Sequence, residues 1–270
     1  MKYVTLVFLL FIAGCSSTTE NSEVVGNRRQ LLLVPSSQIL QLSDQSYAQV
    51  KAKASAEGKL DTNPELVRRL QQVAKKIAAQ SSLFRKDSAE WDWEVHLITS
   101  EELNAYCMPG GKIIFYTGII EKLNLTDAEI AAIMGHEVAH ALKEHGRERM
   151  SEELVKSLGL NFLLVTNKMD AKYAGAANLL TTLTVSLPHN RNQETEADGI
   201  GLDLMARAGY DPNAAVSLWQ KMAGAGGNKP PEILSSHPAD RKRIDNLQNL
   251  VPKALPLYQQ ASAKPNKAAG

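Results

Sequence analysis

His136 and His140 stand four residues apart with Glu137 between them, in Met134-Gly-His-Glu-Val-Ala-His-Ala141. On a helix, that spacing projects both imidazoles from one face, one turn apart, close enough to hold a single metal ion. Glu137 lies about 100° round the helix from His136, beside such an ion rather than on it. There it can take a proton from a water molecule that the ion activates. The chemistry this pattern supports is peptide-bond hydrolysis with Glu137 as general base. Five matching letters also arise by chance. However, two unpaired imidazoles and a carboxylate would be costly to bury in an otherwise apolar helix that had no use for them.

A third ligand is available in Arg191-Asn-Gln-Glu-Thr-Glu-Ala-Asp198. Glu194 and Asp198 are four apart and share a helix face, whereas Glu196 points away and reads as solvated. A ligand imidazole needs a partner for its other ring nitrogen, usually a carboxylate. Glu194 as ligand and Asp198 as that partner would supply both needs from one helix. His145 lies nine residues beyond His136, so a continuing helix would point it outward, and it is set aside. In Ser235-Ser-His-Pro-Ala-Asp-Arg241, Pro238 opens a helix. His237 therefore stands at its mouth, with Arg241 one turn on. A histidine held near the metal could stabilise an oxyanion or cap the ion. Spacing alone leaves a helix-capping role open as the alternative.

The elements that must position these groups are readable in outline. Thr126 and Glu129 form a Thr-x-x-Glu capping box, which starts the helix of His136. Asn63-Pro64 is a second helix start, followed by an apolar stripe of Leu66, Leu70, Val73 and Ile77. A further helix is expected over 37–57. Trp91 to Ile98 alternates as a strand, with His96 on the opposite face as a surface or pairing histidine. Asn104 to Thr117 reads as a hairpin turning at Pro109-Gly-Gly111. Its edge strand could pair with an extended peptide, which makes Asn104, Ala105, Tyr106 and Cys107 the substrate-binding candidates; an ordinary core hairpin is the alternative. The stretch 151–187 is helical and rich in Leu and Ala, either a flap over the cleft or a pair of packed helices. From Arg191 a helix runs to Ala208 and stops at Gly209, and Asp211-Pro212 starts the next.

The chain has 270 residues and a formal charge of +1, with no dense Lys/Arg block, so nucleic acid is not an expected partner. Val4 to Ala13 is an apolar run too short to span a bilayer, and Ile12-Ala-Gly-Cys15 resembles the bacterial lipobox. That resemblance implies lipid on Cys15, and Ser16 after it implies the outer membrane, periplasmic face. The expected organisation is a signal peptide over 1–14, a lipidated flexible tether over 15–28, one domain over 29–252 and a disordered tail over 253–270. Cys107 is left as a lone thiol, more simply a small buried residue than a redox group.

Taken together, the motifs resemble a zinc metallopeptidase family that includes the CaaX prenyl endopeptidase, HtpX, mitochondrial Oma, BepA and LoiP. Asn104 to Gly111, Leu125 to His140, Arg191 to Asp198, and Ser236-His-Pro with Arg241 carry the likeness, which covers about residues 30 to 250. In build the chain is closest to LoiP-like single-domain lipoproteins. The resemblance implies one zinc ion on His136, His140 and Glu194. It also implies Glu137 as base, Asp198 behind a ligand, His237 assisting catalysis or gating the metal, and Arg241 supporting that region. The implied fold is α+β, mainly helical: a zincin-like domain with a small sheet edging the cleft. The implied substrates are unfolded or misassembled cell-envelope proteins. A chaperone working with outer-membrane assembly machinery, or a latent protease capped by His237, is the alternative.

Overall fold

Helical periodicity organises most of the chain, and apolar alternation is confined to one short sheet. The computed structural model describes residues 15–161, 178–186, 189–225, 232–237 and 241–263, with the side chains of 15, 16, 156–161, 183, 186, 232 and 241 outside that description. In chain order the elements are β1 (Cys15–Ser16), β2 (Gln30–Leu31), α1 (Ser36–Ala56), α2 (Pro64–Ser81), β3 (Glu94–Ile98), β4 (Ala105–Met108) and β5 (Lys112–Tyr116). There follow α3 (Thr117–Lys122), α4 (Asp127–Leu142), α5 (His145–Asn161), α6 (Arg191–Arg207), α7 (Asn213–Gly224), α8 (Glu232–Ser236) and α9 (Arg241–Ala263). The fold is α+β and mainly helical, as the sequence implies.

The capping box forms in full. Thr126 Oγ1 accepts from the Glu129 N–H at 3.2 Å, and Glu129 Oε2 accepts from the Thr126 N–H at 2.9 Å. Two orphan donors at the start of α4 are thereby satisfied. Asn63 caps α2 in the same manner, taking the Leu66 N–H at 3.2 Å. The stripe Leu70, Val73 and Ile77 is buried against α4 and β3. Each such side chain removed from water contributes about 1.5–3 kcal/mol.

The sheet has the order β3-β5-β4, with β3 and β5 parallel and β4 and β5 antiparallel. Strand β4 is therefore an edge. The turn between β4 and β5 uses Gly110 (φ 86°) and Gly111 (φ 79°), backbone angles that favour glycine. Strand β3 begins at Glu94 rather than Trp91, because residues 86–90 form a 3₁₀ turn and Trp93 Nε1 donates to Ser88 O at 3.0 Å. His96 is a pairing histidine, with Nδ1 2.5 Å from Asp61 Oδ2.

Helices α4 and α6 cross almost backbone to backbone. A Cβ on Gly135 would lie 2.8 Å from Gly201 O, and one on Gly201 would lie 2.9 Å from His136 N. This close crossing sets the second motif of the sequence against the first.

Both ends of the domain extend beyond the expected boundaries. Residues 17–28, expected as a flexible tether, are packed: Val24 is 2% exposed in the main core, and Val25 sits against Gly199. Ser22 Oγ donates to the buried Asp203 carboxylate at 2.8 Å, and Arg28 reaches Glu148 and Glu196. The polar composition suggested a tether because the partners of these residues lie more than a hundred positions away. The expected disordered tail is helical to Ala263, since Leu250, Ala254 and Leu257 continue a buried stripe past Pro252 and Pro256. Of the stretch 151–187, residues 162–177 and 187 lie outside the described residues, while 151–161 completes α5 and 178–186 is helical.

Candidate metal centre

Four donor atoms converge in one buried pocket. His136, His140, Glu194 and His237 each offer an atom, and all four lie within 4.8 Å of one another. His140 Nε2 is 3.1 Å from His136 Nε2, His136 Nε2 is 3.2 Å from His237 Nδ1, and His237 Nδ1 is 3.0 Å from Glu194 Oε1. Three imidazole nitrogens turned on one another at hydrogen-bonding distance cannot all find donors among themselves. A cation at their centre would satisfy every lone pair, and an imidazole and carboxylate set suits a first-row metal ion. The residues present fit a metal.

Each donor is placed by its helix. His136 and His140 are one turn apart on α4, and Glu194 lies in the first turn of α6, whose N-terminus is capped by Asn190 taking the Gln193 N–H at 3.0 Å. Asp198, one turn on, has Oδ1 3.0 Å from His136 Nδ1. The structure thus brings together Glu194 and Asp198 in the places the sequence suggested. Glu137 is buried beside the donors, with Oε1 3.5 Å from His237 Nε2 and without a hydrogen-bond partner among the described residues.

Burial and charge tune these groups in opposite directions. Burial raises the Glu137 carboxyl above its ordinary value. Burial and the neighbouring His189 push His140 well down, favouring the neutral ring that a ligand needs. For His136, burial and Arg243 act downward, but the Asp198 and Glu194 carboxylates outweigh them and lift it to about 9. Burial also opposes ionisation of Glu194, yet the cationic surroundings of His237 and Arg243 hold it well below the usual carboxylate range.

Arg243 is the basic residue of the site. Its Nε donates to Asp198 Oδ2 at 2.9 Å and its Nη2 to Asp198 Oδ1 at 2.8 Å, Nη1 pairs with Glu194 Oε2, and the guanidinium stacks 3.6 Å over the Trp219 ring. The expected supporting residue, Arg241, begins α9, and its side chain lies outside the described ones. A signal for Arg243 was present: it shares helical phase with Leu247, Leu250, Ala254 and Leu257, the buried stripe of α9.

Two readings of nearby residues are corrected. His145 does not point outward; it is 0% exposed, with Nδ1 2.7 Å from His140 Nδ1. The reason is that α4 ends at Leu142 and the chain turns through Glu144 (φ 52°), so helical phase is lost before α5 begins. Glu196 is not solvated: it is 5% exposed and lies 3.1 Å from Lys143 Nζ and 3.0 Å from Arg28 Nη2. The packed N-terminal segment and the α4–α5 corner cover it. His189, which spacing gave no reason to select, is buried with its ring 4.1 Å from that of His140, and its N–H donates to Ser236 O at 2.9 Å. Five of the six histidines of the chain gather here.

The substrate-binding candidates lie on or beside the edge strand. Ala105 and Cys107 face the main core, Tyr106 packs on the other side of the sheet with Tyr47, Ile114 and Tyr116, and Asn104 Oδ1 accepts the Ala105 N–H at 2.9 Å. With the side chains buried, a peptide laid along β4 would meet backbone groups. The Tyr116 N–H donates to Asn104 O, so the alternation of an antiparallel pair turns the backbone groups of Ala105 and Cys107 away from β5. The Cys107 thiol is raised by burial and by the charge of Glu137, and β4 packs on α4, the helix that carries Glu137. A cavity of about 550 Å³ between α6 and α9 opens onto Glu194 and Arg243.

The family model of peptidase family M48 matches residues 64–251. The chain is 36% identical over 173 residues to the mitochondrial metalloendopeptidase OMA1 of Arabidopsis thaliana, covering 63% of this chain and 34% of that one. It is 30% identical over 272 residues to the mitochondrial metalloendopeptidase OMA1 of Homo sapiens, covering 95% of this chain and 50% of that one. Against the β-barrel assembly-enhancing protease of Escherichia coli K12 it is 23% identical over 234 residues, 83% of this chain and 46% of that one. The chain spans about half or less of the length of these relatives. They also overturn the expected lipid-anchored outer-membrane location, because the OMA1 relatives, at 30–36% identity, are mitochondrial proteins. Among the described residues, no helix is long and apolar enough to cross a membrane. The likeness first carried by four short motifs thus extends through most of the domain, and the chain belongs to peptidase family M48.

Proposed function

We propose that the protein is a zinc-dependent endopeptidase that takes unfolded or misassembled protein segments in extended form along β4 and cleaves them at the His136–His140–Glu194 centre. The observation that carries this reading is the convergence of those three donors beside a buried Glu137 oxygen without a hydrogen-bond partner, with the edge strand β4 packed on the helix that carries Glu137. Two imidazoles and one carboxylate make the donor set of a catalytic zinc site. When bound, zinc supplies Lewis acidity, which lowers the pKa of a water molecule and polarises the scissile carbonyl.

The remaining work belongs to the protein's own residues. Backbone groups of Ala105 and Cys107 align the substrate strand. Glu137 Oε1, raised by burial and so a stronger base than a solvated carboxylate, takes the proton of the attacking water and passes it to the leaving amine. Asp198 and Arg243 hold the His136 ring and the Glu194 carboxylate in place. Away from the donor set, His237 could donate to the developing oxyanion.

A second reading has its own observation. His237 Nδ1 lies within the donor set, 3.2 Å from His136 Nε2 and 3.0 Å from Glu194 Oε1, the position of a fourth ligand. A latent enzyme, closed by His237 until a substrate displaces it, uses the same residues. A purely holding, chaperone-like role is less well supported, since binding alone needs no general base.

Cleavage of casein by the zinc-reconstituted full chain, compared with Glu137→Gln, tests the proposal. The wild type is expected to cut; the variant should keep its metal and lose about 10²–10⁴-fold in rate. Equal cleavage by the two proteins would sink the assignment.

A further inference from the structure

The two α4 histidines are backed differently. His136 has Asp198 directly behind it, with Nδ1 to Oδ1 at 3.0 Å. His140 has another imidazole behind it: His145 Nδ1 lies 2.7 Å from His140 Nδ1, and His145 Nε2 lies 3.3 Å from Glu196 Oε2. Both bonds are out of solvent, with His145 0% and Glu196 5% exposed.

The protons on this chain can be placed. If His140 offers Nε2 to a metal, its proton sits on Nδ1. His140 is then the donor to His145 Nδ1, and His145 carries its own proton on Nε2 and donates it to Glu196. No other arrangement makes both hydrogen bonds with a neutral His145. The far end is fixed by cations: Lys143 Nζ is 3.1 Å from Glu196 Oε1, and Arg28 Nε and Nη2 are 3.1 and 3.0 Å from Oε2. Arg28 at the same time forks onto Glu148, with Nη1 to Oε1 at 2.5 Å and Nη2 to Oε2 at 2.8 Å.

We propose that His145 and Glu196 are positioning residues for the metal ligand His140. Their relay fixes the Nδ1–H tautomer and the ring plane of His140, and Arg28 of the N-terminal segment anchors its far end. This rests on the metal-centre reading above. It adds a requirement that the ligand set does not contain: metal affinity depends on residues 5 positions beyond His140 and about 110 positions before it, neither touching the ion. A side chain that merely filled the space behind His140 would not have this effect once its volume was replaced.

The test is metal binding by the full chain, measured with cobalt(II) and zinc(II) against a competing chelator, with the cobalt d–d spectrum and the fold of the metal-free protein followed in parallel. His145→Phe keeps the bulk and removes the acceptor; affinity is expected to fall about 10–100-fold. His145→Asn puts an oxygen near the place of Nδ1 and should recover most of that loss. Glu196→Gln should weaken binding by less than His145→Phe, with an altered cobalt spectrum. Wild-type affinity in His145→Phe, or equal losses in His145→Phe and His145→Asn, overturns the proposal. Should His145→Phe fail to fold, Glu196→Gln decides alone: unchanged affinity and spectrum overturn it. A wild type that binds no metal defeats the underlying metal-centre reading instead, so the two failures are distinct.

Discussion

His237 occupies a place that two roles could claim, oxyanion donor or cap of the metal. With Nδ1 inside the donor set and Nε2 3.5 Å from Glu137 Oε1, it fills the position a substrate carbonyl or water would need. Opening that position requires a fraction of molecules with His237 swung away, and an incoming ligand's apparent affinity is reduced by that fraction. If the capped form holds about nine-tenths of the molecules, His237→Ala should bind a small hydroxamate about tenfold more tightly, read by competition with a fluorescent inhibitor. Unchanged affinity would put His237 outside the ligand set in solution. At this scale the sequence was informative where helical phase is unbroken. His136 with His140 and Glu194 with Asp198 follow from four-residue spacing on two continuous helices, and Glu137 from its place a quarter-turn round from His136. It was uninformative for His145, which a left-handed residue at Glu144 carries out of phase, and for His189, which reaches the site from just outside α6.

The crossing of α4 and α6 sets how close the two motifs come, and two glycines permit it. A methyl group on Gly201 would lie 2.9 Å from His136 N and 3.0 Å from Gly135 C, backbone atoms that cannot turn aside as a side chain would. The gain in helix propensity from Gly to Ala is about 1 kcal/mol, and overpacking typically costs about 1–3 kcal/mol, so sterics should prevail. Gly201→Ala is expected to destabilise the fold and, by spreading the helices, to draw Glu194 and Asp198 away from His136 and weaken metal binding. Gly224→Ala at the end of α7 meets nothing within 4 Å and should be neutral or slightly stabilising. Denaturant unfolding of both variants, with a metal titration of Gly201→Ala, checks this; two variants of equal stability would refute it. Starts of elements were legible because they are local: Thr126 with Glu129, and Asn63 with Pro64, carry their own caps. The packed N-terminal segment was not, because Val24, Ser22 and Arg28 gain their partners only after α5 and α6 are folded against them.

Across the whole molecule, buried and half-buried carboxylates join elements distant in sequence, and this gives stability a pH dependence of defined sign. Glu94 takes Lys51 of α1 at 2.7 Å and Lys112 of β5 at 2.8 Å; burial would raise it, but those two lysines hold it at about 2. Glu129 joins α4 to α7 through Lys221 at 2.8 Å, and Glu148 joins α5 to the N-terminal segment and to Gln193 of α6. For both, burial acts upward and the hydrogen bonds prevail, so each lies below its ordinary value. A carboxyl with a folded pKa below its unfolded value of about 4.3 leaves the unfolded chain to bind the proton first. The stability it contributes is therefore complete above that unfolded value and is lost as pH falls toward the folded one. Glu137, raised by burial, works in the opposite sense, but it is one group against three. The melting temperature of the metal-free protein should begin to fall below about pH 6.5, where histidines held low by burial, His140 among them, take up protons first in the unfolded chain, and fall further between about 4.5 and 2 as the carboxylates follow. Glu94→Gln should be less stable at neutral pH and show a shallower acid slope, because it has already lost one of the linked carboxylates. Calorimetry in the presence of a chelator separates this from metal loss. A melting temperature that rose on acidification through this window, or an unchanged slope in Glu94→Gln, would mean that these ion pairs do not hold the elements together in solution.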